Sequence, residues 1–202
     1  MSAIIKPHGI GALKFQYFNS ESHDWYDPLK EYTRIEYEWV RDNCKLDGET
    51  VIDAGCHHGN YAVVFAPAFV IAVDNVIANC NFAKANMALN GMEFTVIYRT
   101  LGEQGVKTNK RPGIYKVDIE GAEFQLFPAE LKAYPSVHTW IIEIHPHSGD
   151  PNKLAGMFLD AGFDLLKVDR ETMSIRLYAL GETWNGHSTL IARKVKKDVN
   201  QG

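Results

Sequence analysis

The residues best equipped for chemistry sit where apolar runs end in loops. Val51-Ile52-Asp53-Ala54-Gly55-Cys56-His57-His58-Gly59-Asn60-Tyr61 is an apolar run closed by an acid, then two glycines four positions apart, then a helical pattern. Glycines at such a junction let a ligand approach the backbone, and the exposed N–H groups around Cys56–Gly59 suit its polar atoms. Phe69-Val70-Ile71-Ala72-Val73-Asp74 is a second apolar run ending in a carboxylate. An acid there accepts hydrogen bonds from both hydroxyls of a ribose, because one carboxylate can take two donors. Together these features predict a nucleoside-bearing cofactor. Two further acid-bearing ends follow, Asp118 with Glu120 and Glu143 with His145. Residues two apart on a strand share a face, so Glu143, His145 and His147 converge. An imidazole titrating near neutrality can remove a proton, and carboxylates can orient it or bind hydroxyls.

The elements that must hold these residues alternate from residue 50 onward. Strands are expected at Thr50–Ala54, Phe69–Asp74, Glu93–Tyr98, Ile114–Asp118, His138–Ile144 and Phe163–Val168, with helices between most of them. Helices are expected after Gly59 as far as Pro67, over Ile77–Leu89 with Gly91 as a left-handed cap, near Pro128–Tyr134, and from Asp150-Pro151 to Gly162. This alternation predicts a parallel sheet with helices on both faces. Two closing β-like runs, Ser174–Tyr178 and Ser188–Ala192, lack an intervening helix and predict an antiparallel strand at one edge. Before residue 49, Leu13–Phe18 alternates like a short strand. Asp27-Pro28 reads as the capped start of a helix running to Asn43. This leader is expected to cover one edge of the cleft, with Tyr17, Phe18, Trp25 and Tyr26 as packing or substrate-contacting aromatics.

Composition narrows the function classes. The chain has 202 residues and a net charge of −4, with no basic face in the sequence, so a nucleic-acid partner is not expected. Arg193-Lys194-Val195-Lys196-Lys197 reads as the start of a solvated tail. The three cysteines form no C-x-x-C pair, which fits reduced thiols and a cytoplasmic location. No apolar run is long enough to span a bilayer, and no signal peptide is apparent, so no membrane partner is expected.

Four segments, in order, resemble the FkbM family of S-adenosylmethionine-dependent methyltransferases. They are Val51–Gly55 with Gly59, Asp74 after its strand, Tyr115-Lys116-Val117-Asp118-Ile119-Glu120-Gly121-Ala122-Glu123, and Ile141-Ile142-Glu143-Ile144-His145. The K-x-D-x-E-G-x-E run is the most specific of these, and the likeness covers about residues 50 to 193. The resemblance implies a Rossmann-like class I methyltransferase fold: an α/β, doubly wound, mostly parallel seven-stranded sheet in the order 3-2-1-4-5-7-6, with strand seven antiparallel. Residues 1–48 read as a leader packing on the cleft and residues 195–202 as a solvated tail, and the resemblance makes 49–194 the methyltransferase domain. It also implies S-adenosylmethionine as cofactor and a hydroxyl of a sugar or other small metabolite as acceptor. The implied cofactor residues are Asp53 (on the ammonium), Gly55, Cys56, His57, His58, Gly59, Asn60, Tyr61, Asp74, Asn75, Thr100, Leu101 and Asp118. The implied catalytic residues are Asp118, Glu120, Glu143 and His145, with His145 or Asp118 as base. Lys116 reads as structural and Glu123 as a helix cap.

Only fifteen residues, 99–113, join the strand ending at Tyr98 to the one starting at Ile114. The family places a hairpin and a helix there, so the adenine cover is expected to be thin, and a homodimer could supply the missing wall. Asp118, Glu120, Glu143, His145 and His147 also offer mixed N/O donors suited to Zn, Mn or Fe, but no diagnostic metal spacing is present and no metal is expected. An NAD-dependent oxidoreductase remains as a rival, although G-x-G-x-x-G is absent. A non-catalytic cofactor-binding module is a second rival.

Overall fold

The computed structural model describes residues 4–27, 29–102 and 105–194. The leader comprises β1 (Ile4–Pro7), β2 (Lys14–Tyr17), α1 (Ser20–Tyr26) and α2 (Glu31–Asn43). The main body follows as β3 (Thr50–Ala54), α3 (Asn60–Val64), β4 (Phe69–Asp74), α4 (Ile77–Leu89), β5 (Phe94–Tyr98), β6 (Ile114–Val117), α5 (Glu123–Leu126), α6 (Ala129–Ala133), β7 (Thr139–Ile144), α7 (Pro151–Asp160), β8 (Asp164–Asp169), β9 (Ser174–Leu177) and β10 (Ser188–Arg193).

The main sheet has eight strands in the order β5-β4-β3-β6-β7-β10-β8-β9. Strands β5, β4, β3, β6 and β7 pair in parallel, while β10 runs antiparallel to both neighbours. Without β9 this is the expected 3-2-1-4-5-7-6 order. The eighth strand corrects the expected count. Ser174–Leu177 folds back on β8 as an antiparallel edge, with Ile175 opposite Val168.

The central strands are buried along nearly their whole length, so they read as continuous apolar runs. The period of two then divides them between two cores. Val51, Val70, Ala72, Ile114 and Ile141 meet α2, α3 and α4 on one face. Ile52, Ile71, Tyr115, Trp140 and Ile142 meet Leu154, Ala155 and Phe158 of α7 on the other. By the same alternation Asp53, Asp74, Lys116, Glu143 and His145 all belong to the first face. The leader also packs there.

Two features of the leader differ from expectation. The helix starts at Glu31, with Lys30 in the capping position, and Pro28 lies outside the described residues. Asp27 instead ends an additional helix, α1, where it pairs with Lys6. That helix opens on Asn19, whose side chain accepts the Ser22 N–H while Ser22 Oγ bonds back to the Asn19 N–H. A Ser in place of the usual Glu or Gln three positions on hides this capping box in the sequence.

The β1–β2 hairpin is fastened to the main body by two side-chain amides, one on α4 and one at its C-terminal cap. Asn86 Oδ1 accepts Gln16 N–H at 2.6 Å, and Asn90 Oδ1 accepts Lys14 N–H at 2.9 Å. They lie four residues apart on one helical face and satisfy an edge that would otherwise be open. His8, stacked on Tyr37 and edge-on to Phe15, donates from Nε2 to the Asn60 carbonyl at 3.0 Å. Its burial lowers the pKa to about 4, below the 6.5 of an unfolded histidine. The folded pKa is the lower one, so this contribution is complete above pH 6.5 and is lost as pH falls toward 4, by about 3 kcal/mol. Urea unfolding of His8→Gln should therefore lack that part of the acid slope. Wild-type and variant midpoints moving in parallel between pH 7 and 4 would contradict this.

Candidate functional site

A cavity of about 600 Å³ opens at the carboxyl ends of β3, β4, β6 and β7, with walls from α1 and α2. In an open α/β sheet this is the crevice where the strand order reverses, between β3 and its two neighbours.

The loop after β3 builds one half. Gly55 has φ +78°, and a Cβ on it would lie 1.6 Å from the Asp118 carbonyl oxygen, so only glycine permits this approach to the loop after β6. The amides of Gly55 and Cys56 both donate to the Val73 carbonyl, at 2.8 and 3.0 Å. The Gly59 amide donates to Cys56, and the His57 amide to Asp74 Oδ2 at 2.9 Å. These N–H groups were expected to face a ligand. They are instead consumed inside the loop, because its tight turn brings them onto β4. Asp74 also accepts from Val76 N–H at 2.8 Å and Asn79 Nδ2 at 3.2 Å, and lines the cavity beside Asn75.

Several expected cofactor residues take other positions. His58 is fully buried, packed on His57 and edge-on to Phe82, away from the cavity lining. Gly59, at φ +78°, allows close contact with Ala83 of α4. Thr100 is exposed, and its neighbours Arg99 and Leu101 line the cavity instead. Asn60 and Tyr61 do line it, but the leader holds Asn60, with the Tyr37 hydroxyl donating to its Oδ1. Cys56 and His57 are also in the lining. The His57 ring contacts Tyr26 Oη through Nδ1 at 2.6 Å and Glu21 through Nε2 at 3.3 Å. Among the leader aromatics Trp25 and Tyr26 line the cavity, whereas Tyr17 stacks on His23 and Phe18 on Phe82.

Asp53 does not reach the cavity. It is fully buried, and its Oδ1 lies 3.4 Å from Lys116 Nζ, its register partner on β6. Lys116 also donates to the Gly55 carbonyl at 3.1 Å, lies 3.5 Å from Asp118 Oδ2, and sits over the Tyr61 ring. Burial opposes its charge, but Asp53 and Asp118 outweigh that and raise its pKa. Burial also pushes Asp53 up to about 6, against the pull of Lys116. Lys116, read from sequence as structural, thus lies in the cavity wall and joins two acids.

The other half gathers Asp118, Glu120, Glu143 and His145, all in the lining. His145 is buried. Its Nδ1 meets Glu123 Oε1 at 2.9 Å, and its Nε2 lies 3.4 Å from Glu120 Oε2. The Glu123 contact, its main cause, raises the His145 pKa. Glu123 Oε1 also accepts the amides of Ile119 and Gly121, at 3.1 and 3.2 Å. The expected helix cap is therefore a buried carboxylate that organises both the loop and the imidazole. Glu120 adopts φ +55°, an uncommon conformation for a residue with a side chain. Glu143 accepts from Arg170 Nη2 at 2.9 Å, and that guanidinium lies 4.3 Å from the Tyr32 ring on α2.

Arg170 and His187 are functional candidates absent from the sequence reading. His187 had a usable signal. Antiparallel β10 enters beside the exit of β7, with Ser188 opposite Ile144, so the preceding residue must fall next to His145. The two ring centroids are 4.5 Å apart. His147 stays outside the lining.

No family model matches the sequence, and no curated protein matches it, so the FkbM likeness rests on its motifs. Solved structures do match. The fold is that of class I methyltransferases. Magnesium protoporphyrin IX methyltransferase from Synechocystis PCC 6803, with bound SAH, aligns over 81% of this chain and 83% of its own, at 15% identity and TM-score 0.58. A SAM-dependent O-methyltransferase from Thermotoga maritima aligns over 84% and 73%, at 12% identity and TM-score 0.53. The T. thermophilus 16S rRNA N2 G1207 methyltransferase, in complex with AdoMet and guanosine, aligns over 96% of this chain and 50% of its own, at 14% identity and TM-score 0.61. Acceptors as different as a porphyrin and ribosomal RNA thus occur on this fold, and the expectation of no nucleic-acid partner gains no support from them. Among the described residues no helix is long and apolar enough to cross a membrane.

Proposed function

We propose that the protein transfers a methyl group from S-adenosylmethionine to a hydroxyl oxygen of a small polar acceptor, a sugar or similar metabolite. The observation that carries this reading is one continuous cavity with Asp74 at one end and Asp118, Glu120, Glu143 and His145 at the other. Its size lies within the range of small-molecule sites. The local charge fits the cofactor. Among the described lining residues Asp74, Asp118, Glu21, Glu120 and Glu143 outnumber Lys116, Arg99 and Arg170, which leaves a surplus of negative charge for a sulfonium and an ammonium. Asp74 retains acceptor capacity for ribose hydroxyls, since an ionised carboxylate offers about four lone-pair sites. Gly55 lets the loop after β3 close onto the loop after β6, which shapes the cavity wall where the cofactor would pass. When bound, the cofactor supplies an electrophilic methyl group. The chain's own part is to align the acceptor oxygen and take up its proton within the acid–imidazole cluster. The K-x-D-x-E-G-x-E run, which provides Lys116, Asp118, Glu120 and Glu123, supports kinship with FkbM enzymes.

A small acceptor is favoured over RNA by the carboxylates around the cavity. Glu21, Glu120 and Glu143 would repel a phosphate backbone, and the net charge is −4. Calorimetry with S-adenosylhomocysteine and with NADH, followed by labelled methyl transfer to alcohols, sugars and total RNA, tests each part. Binding of the homocysteine and labelling of an alcohol are expected. Uptake of NADH alone would favour the oxidoreductase, and labelling of RNA alone would overturn the acceptor class.

A further inference from the structure

We propose that His145, Asp118 and Glu120 hold a divalent first-row transition-metal ion, with His187 and Glu143 within reach of the same centre. Ligand atoms of Asp118, Glu120 and His145 lie within 4.8 Å of one another, and so do those of Glu143, His145 and His187. The two triads share one imidazole. Bonds of about 2.0–2.2 Å place neighbouring ligand atoms roughly 3–4 Å apart, so small side-chain rotations close either set around an ion.

Proximity alone would be weak, and three further observations point the same way. First, His145 has the partner expected of a metal-bound histidine. Its Nδ1 is held by the buried carboxylate of Glu123, which fixes the ring and leaves Nε2 directed at Glu120. Second, Glu120 holds that position with a left-handed backbone at φ +55°, between two residues whose amides Glu123 binds. Third, the register of β10 on β7 sets a second imidazole, His187, beside His145, with ring centres 4.5 Å apart. A third grouping, Glu21, His57 and His58, lacks such an orienting carboxylate, and Tyr26 already occupies Nδ1 of His57.

Mixed imidazole and carboxylate donors suit Zn²⁺, Mn²⁺ or Fe²⁺ better than Ca²⁺. A cation in this position would lower the pKa of a hydroxyl bound beside it and fix the oxygen's position, with His145 as ligand and the released proton passing to a carboxylate of the cluster that the ion leaves free. That catalytic meaning rests on the methyltransferase reading, whereas the binding site does not.

The test uses the full chain, stripped with EDTA and titrated with Co²⁺ by visible absorption and with Mn²⁺ and Zn²⁺ by calorimetry. One saturable equivalent is expected. His145→Ala should abolish it, and Glu123→Gln should weaken it about 10–100-fold. Glu120→Ala and His187→Ala, at exposed positions that leave the fold intact, should each weaken it about tenfold or more. No saturable binding, or binding unchanged by His145→Ala but lost in His57→Ala, would overturn the site. S-adenosylhomocysteine binding by the stripped protein separates the two readings. If it persists while no metal binds, only the metal site fails. If metal binds and the homocysteine does not, only the cofactor reading fails.

Discussion

Lys116→Met is expected to destabilise the protein by about 3–5 kcal/mol, the loss typical of removing one partner from a buried ion pair. Asp53 is fully buried, and Lys116, on the same sheet face, is the cation 3.4 Å away. Removing the ammonium leaves a carboxylate with no counter-charge where burial already raises its pKa to about 6. Methionine fills much of the same volume, so the loss reflects charge and not a cavity. The companion substitution Asp53→Asn should be far less harmful in the Lys116→Met background than in the wild type, because the amide needs no ammonium. A double-mutant cycle by urea unfolding measures that coupling. The Lys116→Met deficit should also shrink as pH falls toward 4. A carboxyl with a raised folded pKa is destabilising when ionised and harmless once protonated. Additive effects in the cycle, or a Lys116→Met loss below about 1 kcal/mol, would show that the pair is not coupled.

That pair also explains which parts of the site were legible in sequence. The strand order was legible only through the family resemblance, whereas the apolar runs that mark β3, β4, β6 and β7 and the face shared by Glu143 and His145 were legible directly. Those runs and that shared face follow from local pattern alone. What pattern does not encode is which strands become neighbours. Asp53 and Lys116 are 63 positions apart, and only the register of β3 on β6 makes them partners. Asp53 therefore read as a cofactor residue and Lys116 as scaffold, whereas the structure buries Asp53 behind Lys116 on the same sheet face and puts Lys116 in the cavity wall. Glu123 was misjudged for a related reason. A glutamate at the start of a helix looks like a cap, and its contact with His145 depends on β6 and β7 lying side by side. His57, Gly59 and their amides show a different limit. A glycine loop announces a tight turn, but whether the freed N–H groups face a ligand or the protein is settled by packing against β4. The capping box of α1 was hidden by Ser22 standing where Glu or Gln is usual.

Asp74→Asn should weaken S-adenosylhomocysteine about 10–100-fold, the largest affinity loss expected at the site. Hydrogen bonds to a charged group contribute about 1.5–3 kcal/mol, and the proposed ribose contacts fall on this one carboxylate. The residue also has structural duties, which the experiment must separate. Its oxygens accept from His57 N–H, Val76 N–H and Asn79. An asparagine can satisfy only one of the two amides with its oxygen and turns an N–H₂ toward the other. A stability loss of about 1–3 kcal/mol is therefore expected alongside the affinity loss. Calorimetry on protein shown to be folded at the working temperature removes the first effect from the second. A purely structural Asp74 would give a lower unfolding midpoint with unchanged affinity in the folded fraction. A ligand-binding Asp74 loses affinity even there. Asn79→Ala makes the complementary control, since it frees one lone pair without touching the carboxylate charge. If Asp74→Asn and Asn79→Ala weakened the ligand equally, the damage would lie in the turn and not in the loss of a ribose acceptor. A clear excess for Asp74→Asn ties the affinity to the carboxylate itself.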